Sequence, residues 1–205
     1  MKKTISGLLA LLLLLTLCVG CGGQDGQKDA KDEQNRQEDA AGQDTSGSIF
    51  TTLTGLDMGE TVLEVEGNAI PADIYLYWLM AKSSELEYQL NMYKVSYGIY
   101  GELLDENGRI KWDQTMEGTP LADIVRQNAE NNALSYALLE NVAKAHNVTL
   151  TAEDQAAVDE VLAQQTEQAG GEEAFSQSLY EIGLSRDSHV RMIASQYLYQ
   201  HLAEL

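Results

Sequence analysis

The chain has 205 residues, with 32 acidic and 13 basic side chains and a formal net charge of −19. This charge argues against binding to nucleic acids and against a basic patch for anionic lipids, because phosphate groups would be repelled. Both cysteines lie within the first 21 residues, so the remainder needs an apolar core rather than disulfides. Two prolines and abundant Ala, Leu, Glu and Gln favour helices.

The chain begins with the features of an export signal. A basic Met1-Lys2-Lys3 head precedes a leucine-rich run from Leu8 to Leu17 that is too short to span a bilayer comfortably. The following Cys18-Val19-Gly20-Cys21 resembles the lipobox of bacterial lipoproteins, with Cys18 where Leu is usual. The resemblance implies a signal peptide over 1–20, acylation of Cys21 by chains such as palmitate, and an extracytoplasmic protein anchored to the bacterial cell membrane. The alternative is an ordinary secretory signal with an incidental cysteine.

The segment 21–48 is predicted to be a disordered acidic linker. From Gly22 to Ser48 it has no aromatic or large aliphatic residue, so it cannot bury enough surface to offset the entropy of ordering. A folded domain is expected over 49–205.

The folded part is predicted to open with a strand, a turn and a helix. Thr61 to Glu66 alternates apolar and polar residues, Gly67-Asn68 predicts a tight turn, and Pro71 suits the first turn of a helix. This helix is expected to run from Ala72 into the low nineties. Lys94 to Gly118 is interrupted by glycines and polar residues and is interpreted as a long structured loop.

Four more helices are predicted. Thr119 as N-cap and Pro120 at the first position would begin the second, which Asn147 would end. Its apolar residues form two rows, one of Leu121, Val125, Ala129, Ala133 and Ala137 and the other of Leu134, Leu138 and Val142. The remaining signals are a capping box of Thr151 and Asp154, a break at Gly170-Gly171, a Schellman stop with Gly183 at C′, and Ser185 as the last N-cap. The fold class is therefore mainly α, an irregular domain of about five helices with a short N-terminal β-strand and turn.

The order of these elements resembles the N-terminal domain of SurA/PrsA-type foldases. The resemblance covers about residues 60–205 and rests on Val62 to Pro71, Asn147 to Thr151, and Phe175 to Ser185, where a short helix ends in Gly-Leu-Ser before a final one. It implies an extracytoplasmic, chaperone-like protein that binds non-native or secreted polypeptides. Most members of the family continue into a parvulin-type prolyl isomerase domain, and nothing in this sequence supplies one. A dedicated interaction or assembly lipoprotein, and a truncated prolyl isomerase foldase, are the alternatives.

The sequence gives no enzyme signal, and no catalytic residue, cofactor or metal site is predicted. His189 and His201 are twelve residues apart on one predicted helix, so they cannot share a metal unaided, and no cysteine accompanies them. His146, near the end of a helix, suits a mild interaction with the helix dipole. The many carboxylates are interpreted as solvated surface.

Aromatic residues crowd the first helix and the following loop. The crowded residues are Tyr75, Tyr77, Trp78, Tyr88, Tyr93, Tyr97 and Tyr100. Tyr75, Trp78, Tyr93 and Tyr97 are the predicted peptide-binding residues, because such side chains offer a large contact area with a polar tip. The alternative is that several of them simply pack the core.

Overall fold

The computed structural model describes residues 54–205. The predicted signal peptide, Cys21, the linker and the expected start of the domain at Ile49 lie outside these residues. Its elements, in chain order, are β1 (Thr61–Val65), β2 (Asn68–Pro71), α1 (Ala72–Tyr97), β3 (Thr115–Met116), β4 (Thr119–Pro120), α2 (Leu121–Ala145), α3 (Ala152–Ala169), α4 (Glu172–Glu181) and α5 (Arg186–Ala203). A 3-10 turn at Gly101–Leu103 follows α1. The mainly helical class with five helices and a short N-terminal β element is confirmed.

The N-terminal β element is a hairpin rather than a lone strand. β1 pairs antiparallel with β2, and Val65 lies opposite Asn68. The two residues between them, Glu66 and Gly67, have φ values of 51° and 81°, as a type I′ turn requires. The prediction of Gly67-Asn68 as the turn was therefore wrong by one residue, and residues 68–71 form a second strand that the sequence reading missed.

α1 is longer than predicted. It continues through Tyr97 and ends at Gly98, which is left-handed with φ 69° and donates its N–H to the Lys94 carbonyl. Glycine suits this position because it has no Cβ to strain a positive φ. The predicted loop therefore begins four residues later than expected, at Gly98.

The segment between α1 and α2 is ordered and partly buried. Leu103, Leu104 and Ile110 lie in the core. Asn91 of α1 donates to the Gly108 carbonyl at 2.7 Å, and a Cβ on Gly108 would lie 2.8 Å from Asn91 Oδ1. The loop thus packs tightly on α1 at a place that only glycine fits.

The predicted start of α2 was wrong. Thr119 and Pro120 form β4, which pairs with β3 across a second turn whose central residues, Glu117 and Gly118, have φ values of 53° and 85°. The helix begins at Leu121 after Pro120, without a side-chain cap. The Thr119 hydroxyl therefore does not cap α2.

The apolar row of α2 is buried as its spacing suggested. Its five members, Leu121, Val125, Ala129, Ala133 and Ala137, are all core residues. The small alanine side chains let α1 approach closely along α2. The second row is largely exposed, since Leu138 and Val142 are 49% and 46% exposed. Asn147, with φ 56°, lies just past the end of the helix, as predicted.

The stop and start signals of the last three helices are confirmed. Thr151 and Asp154 form a reciprocal capping box on α3, and Gly170 ends that helix in a left-handed conformation. After α4, the Leu184 N–H donates to the Leu179 carbonyl at 3.0 Å and Gly183 to that of Tyr180 at 3.0 Å, the Schellman pattern. Ser185 caps α5 by accepting from the Ser188 N–H.

The two larger clusters of buried side chains lie along the antiparallel pair α1 and α2. The main core joins the hairpin, the start of α1, the second half of α2, and α3 to α5; its buried members include Ile70, Ile74, Val158, Phe175 and Leu179. The distal core joins the end of α1, the following loop and the start of α2; it contains Leu86, Leu90, Leu103, Leu104, Ile110, Leu121 and Val125. α1 therefore belongs to both cores.

Among residues 54–205, none of the helices combines the length and apolar character needed to cross a membrane.

Candidate peptide-binding surface

The four predicted peptide-binding residues lie in different surroundings. Tyr75 and Trp78 are partly buried and pack against the main core. Tyr93 is partly buried near the end of α1, whereas Tyr97 is 70% exposed. The structure therefore brings Tyr93 and Tyr97 together but separates them from the other pair by four turns of helix.

The surroundings of Trp78 favour a role in packing. Its ring centroid lies 5.4 Å from that of Tyr77 and 6.5 Å from that of Tyr136 of α2, and Lys82 Nζ is 5.6 Å away over the ring. Burial raises the pKa of Tyr136 to about 12. The Trp78 Nε1 atom is buried, and no acceptor among residues 54–205 meets it in hydrogen-bonding geometry. A side chain packed in this way is poorly placed to bind a peptide.

Tyr75 and Tyr77 also border the main core. Burial is the largest cause of the raised pKa of each hydroxyl, and the Glu130 carboxylate adds to it for Tyr75. Both phenols therefore lose their proton at a higher pH than a free tyrosine does, and part of each ring is removed from solvent.

Three tyrosines form a second aromatic group at the end of α1. The Tyr93 ring centroid lies 6.0 Å from that of Tyr97 and 5.9 Å from that of Tyr100. Leu86, Leu90, Tyr93 and Tyr97 follow one another at spacings of four, three and four, which keeps them on one helix face. The face that is buried at Leu90 thus emerges into solvent at Tyr97.

The opposite face of α1 carries an apolar row that the sequence reading missed. Tyr88, Met92 and Val95 are 71%, 40% and 86% exposed. At about 100° per residue, their spacings of four and three place them on one face, about half a turn from Leu86 and Leu90. We call these three residues the outer stripe. The sequence feature that indicates the outer stripe is a second set of apolar residues at helical spacing on α1, in addition to the row that packs in the core.

The described residues are strongly acidic. Residues 54–205 contain eight Lys and Arg against 25 Asp and Glu, a formal net charge of −17. Between Lys144 and Arg186 there are eight acidic residues and no Lys or Arg. On α3 and α4 all of these but Asp154 are exposed, so most of the charge faces solvent.

A buried carboxylate joins the first and last helices. Asp73, in the first turn of α1, is 0% exposed. It accepts from the Ser185 N–H at 2.9 Å and from Ser188 Oγ at 2.8 Å, and from the Ile74 N–H at 2.7 Å. Because Ser185 and Ser188 begin α5, Asp73 supplies negative charge at the N-terminus of that helix, where the dipole favours it.

A second polar network fixes the hairpin against α2 and α5. Arg191 donates two parallel hydrogen bonds to the Glu140 carboxylate, both at 2.7 Å, and a third to the Ala69 carbonyl at 2.8 Å. Asn68 Nδ2 donates to Glu140 at 2.5 Å, and Asn141 Nδ2 to the Val65 carbonyl at 2.9 Å. The hairpin that precedes α1 is thereby held against α2 and α5.

The histidines of α5 take part in pairwise contacts. His201 Nε2 lies 2.7 Å from Asp154 Oδ2, and hydrogen bonds from Thr151, followed by that of His201, lower the pKa of Asp154 to about 2. His189 Nε2 lies 2.7 Å from Gln165 Oε1, and burial lowers the pKa of its imidazole. No group of three or more His, Cys, Asp and Glu side chains suited to a metal ion occurs within residues 54–205.

No protein-family model, curated protein or solved structure matches this chain.

Proposed function

We propose that this protein is a membrane-anchored, extracytoplasmic, chaperone-like protein that binds non-native secreted polypeptides. The observation that carries the proposal is the outer stripe, whose apolar side chains are exposed along a long helix while the buried rows of α1 and α2 already form a core. Exposed apolar residues in a row are typical of surfaces that bind other chains. The resemblance of residues 60–205 to the N-terminal domain of SurA/PrsA-type foldases supports the same function.

The architecture suits a binding surface that stays fixed while partners vary. α1 is held at its start by Asp73 and at its end by the distal core, and the Arg191 network fixes the hairpin that precedes it. A rigid helix presents its side chains without the entropy cost of ordering the backbone on binding. Methionine and tyrosine adapt to varied apolar partners, since the Met92 side chain is flexible and the Tyr88 ring has a polar tip.

The test is an aggregation assay with the full chain and a chemically unfolded model protein. The parent should suppress light scattering in proportion to its concentration, without accelerating prolyl isomerisation in a peptide assay. The double variant Tyr88→Gln/Met92→Gln should lose most of the suppression. The matched control is Leu138→Gln/Val142→Gln, since this pair has the same spacing of four and comparable exposure on α2.

Absence of suppression by the parent chain would contradict the proposal. Equal loss in the stripe and control variants would assign the effect to general surface hydrophobicity instead of the outer stripe. Capture of one saturable partner from solubilised membranes, without suppression of varied clients, would favour the dedicated assembly lipoprotein.

A further inference from the structure

The charge around the outer stripe selects among the partners that an apolar row can bind. We propose that the stripe binds cationic amphipathic segments, in which Lys or Arg residues flank apolar side chains. This inference rests on the proposed function and names the class of polypeptide that the same surface prefers.

Negative charge greatly exceeds positive charge over the described residues. Residues 54–205 carry a formal net charge of −17. On α3 and α4 the exposed carboxylates have one cationic partner within the described residues, the Arg186 guanidinium beside Glu172. Within residues 54–205, the hydrogen-bond partners of Asp159, Glu160 and Glu181 are neutral glutamines of their own helices. A surface of this kind attracts basic chains and raises their rate of association.

The part of the chain that contains the stripe also has more acidic than basic residues. The segment 80–130, which contains the stripe, holds five of the eight cations of residues 54–205 but also nine acidic residues, so it too is net negative. Glu85 lies three residues before Tyr88 and seven before Met92; its side chain is 50% exposed, and its carboxylate pairs with Lys82 Nζ at 2.8 Å. Its carboxylate therefore borders the apolar row on the helix surface.

The same charge disfavours two other occupants. Two copies of the chain would bring together two bodies of net charge −17, which repel one another within the screening distance of about 10 Å at 0.1 M salt. An anionic bilayer surface would be repelled likewise. A cationic chain meets neither obstacle and can cover the apolar row while its basic groups lie near carboxylates.

The experiment measures binding of fluorescent peptides to the full chain by anisotropy. One probe is a Leu/Lys amphipathic peptide of about 18 residues, and the other replaces every Lys with Glu. We expect the Lys peptide to bind at least about tenfold more tightly than the Glu peptide, with the difference shrinking between about 50 and about 500 mM salt. Tyr88→Gln/Met92→Gln should weaken binding of the Lys peptide about tenfold, whereas Leu138→Gln/Val142→Gln should change it less than about twofold.

The outcomes separate this inference from the proposed function. Equal binding of the two peptides, with suppression of aggregation intact, overturns the charge preference and leaves the chaperone-like function standing. Absence of both binding and suppression overturns both. Stripe-dependent self-association, or stripe-dependent sedimentation with phosphatidylglycerol vesicles, overturns the inference by assigning a different occupant. Circular dichroism of each variant establishes that its helices are intact.

Discussion

Replacing Asp73 with alanine should strongly destabilise the fold. The carboxylate is fully buried and accepts from the Ser185 N–H at 2.9 Å and from the Ser188 hydroxyl at 2.8 Å, across more than a hundred residues of chain. Alanine leaves these two donors, and the Ile74 N–H at 2.7 Å, without this acceptor, and an unpaired buried donor costs about 1–3 kcal/mol. Because the Ser188 hydroxyl can rotate toward another acceptor, we expect a loss of about 3 kcal/mol in the free energy of unfolding, a large part of the roughly 5–15 kcal/mol typical of a domain.

Urea denaturation of the full chain at neutral pH, followed by helical circular dichroism, measures this loss. Asp73→Asn keeps one oxygen acceptor and should fall between the parent and Asp73→Ala. Asp187→Ala is the matched control, because Asp187 lies in the first turn of the same α5 but is exposed; its interaction with the dipole is worth less than about 1 kcal/mol. Equal destabilisation by Asp73→Ala and Asp187→Ala would refute the role assigned to the buried carboxylate.

Two further predictions concern the polar and aromatic contacts of α2. Arg191→Lys should lower the free energy of unfolding by about 2 kcal/mol in urea denaturation, since lysine cannot reproduce the paired bonds to Glu140 together with the bond to Ala69. The control Arg186→Lys, at an exposed ion pair, should lower it by less than about 1 kcal/mol. Equal destabilisation by the two variants would contradict the role assigned to Arg191. The pKa of Tyr136 is raised to about 12 in the folded protein, against 10.0 for the free side chain. The stabilisation of the fold by the neutral Tyr136 phenol is therefore complete below pH 10 and is lost as pH rises from 10 toward 12. The melting temperature of the parent minus that of Tyr136→Phe should therefore fall across that alkaline window, and a constant difference would refute the assignment.

The helix ends that were predicted correctly depend on local contacts. Thr151 with Asp154, Gly183 with Leu184, and Ser185 each satisfy backbone groups within a few residues of themselves. Such contacts depend little on the rest of the molecule, so residue type and spacing are sufficient to predict them. The buried row of α2 belongs with them, because a repeat of four with small side chains has few uses other than close packing.

The predicted elements were wrong at two places where the local preference for a helix start competes with β-strand pairing. Thr119-Pro120 has the composition of a helix start, yet both residues pair with β3 across the Glu117-Gly118 turn. Residues 68–71 likewise extend a hairpin before α1 begins. In both places backbone hydrogen bonds to a neighbouring strand outweigh the preference of these residues for the start of a helix. The sequence feature that indicates a hairpin at each place is a two-residue turn with glycine as its second residue.

The sequence by itself determined the acidic character, the number of helices and most of their ends, because charge is a property of composition and helix ends are stabilised by neighbouring residues. It also provided the aromatic residues of α1, without showing which of them face solvent. Tertiary structure decided that Trp78 packs beside Tyr136 while Tyr88, Met92 and Val95 stay uncovered. Exposure depends on which elements lie against each face of a helix, and that depends on contacts such as those of Asp73 with α5 and Arg191 with α2, which join residues far apart in the chain.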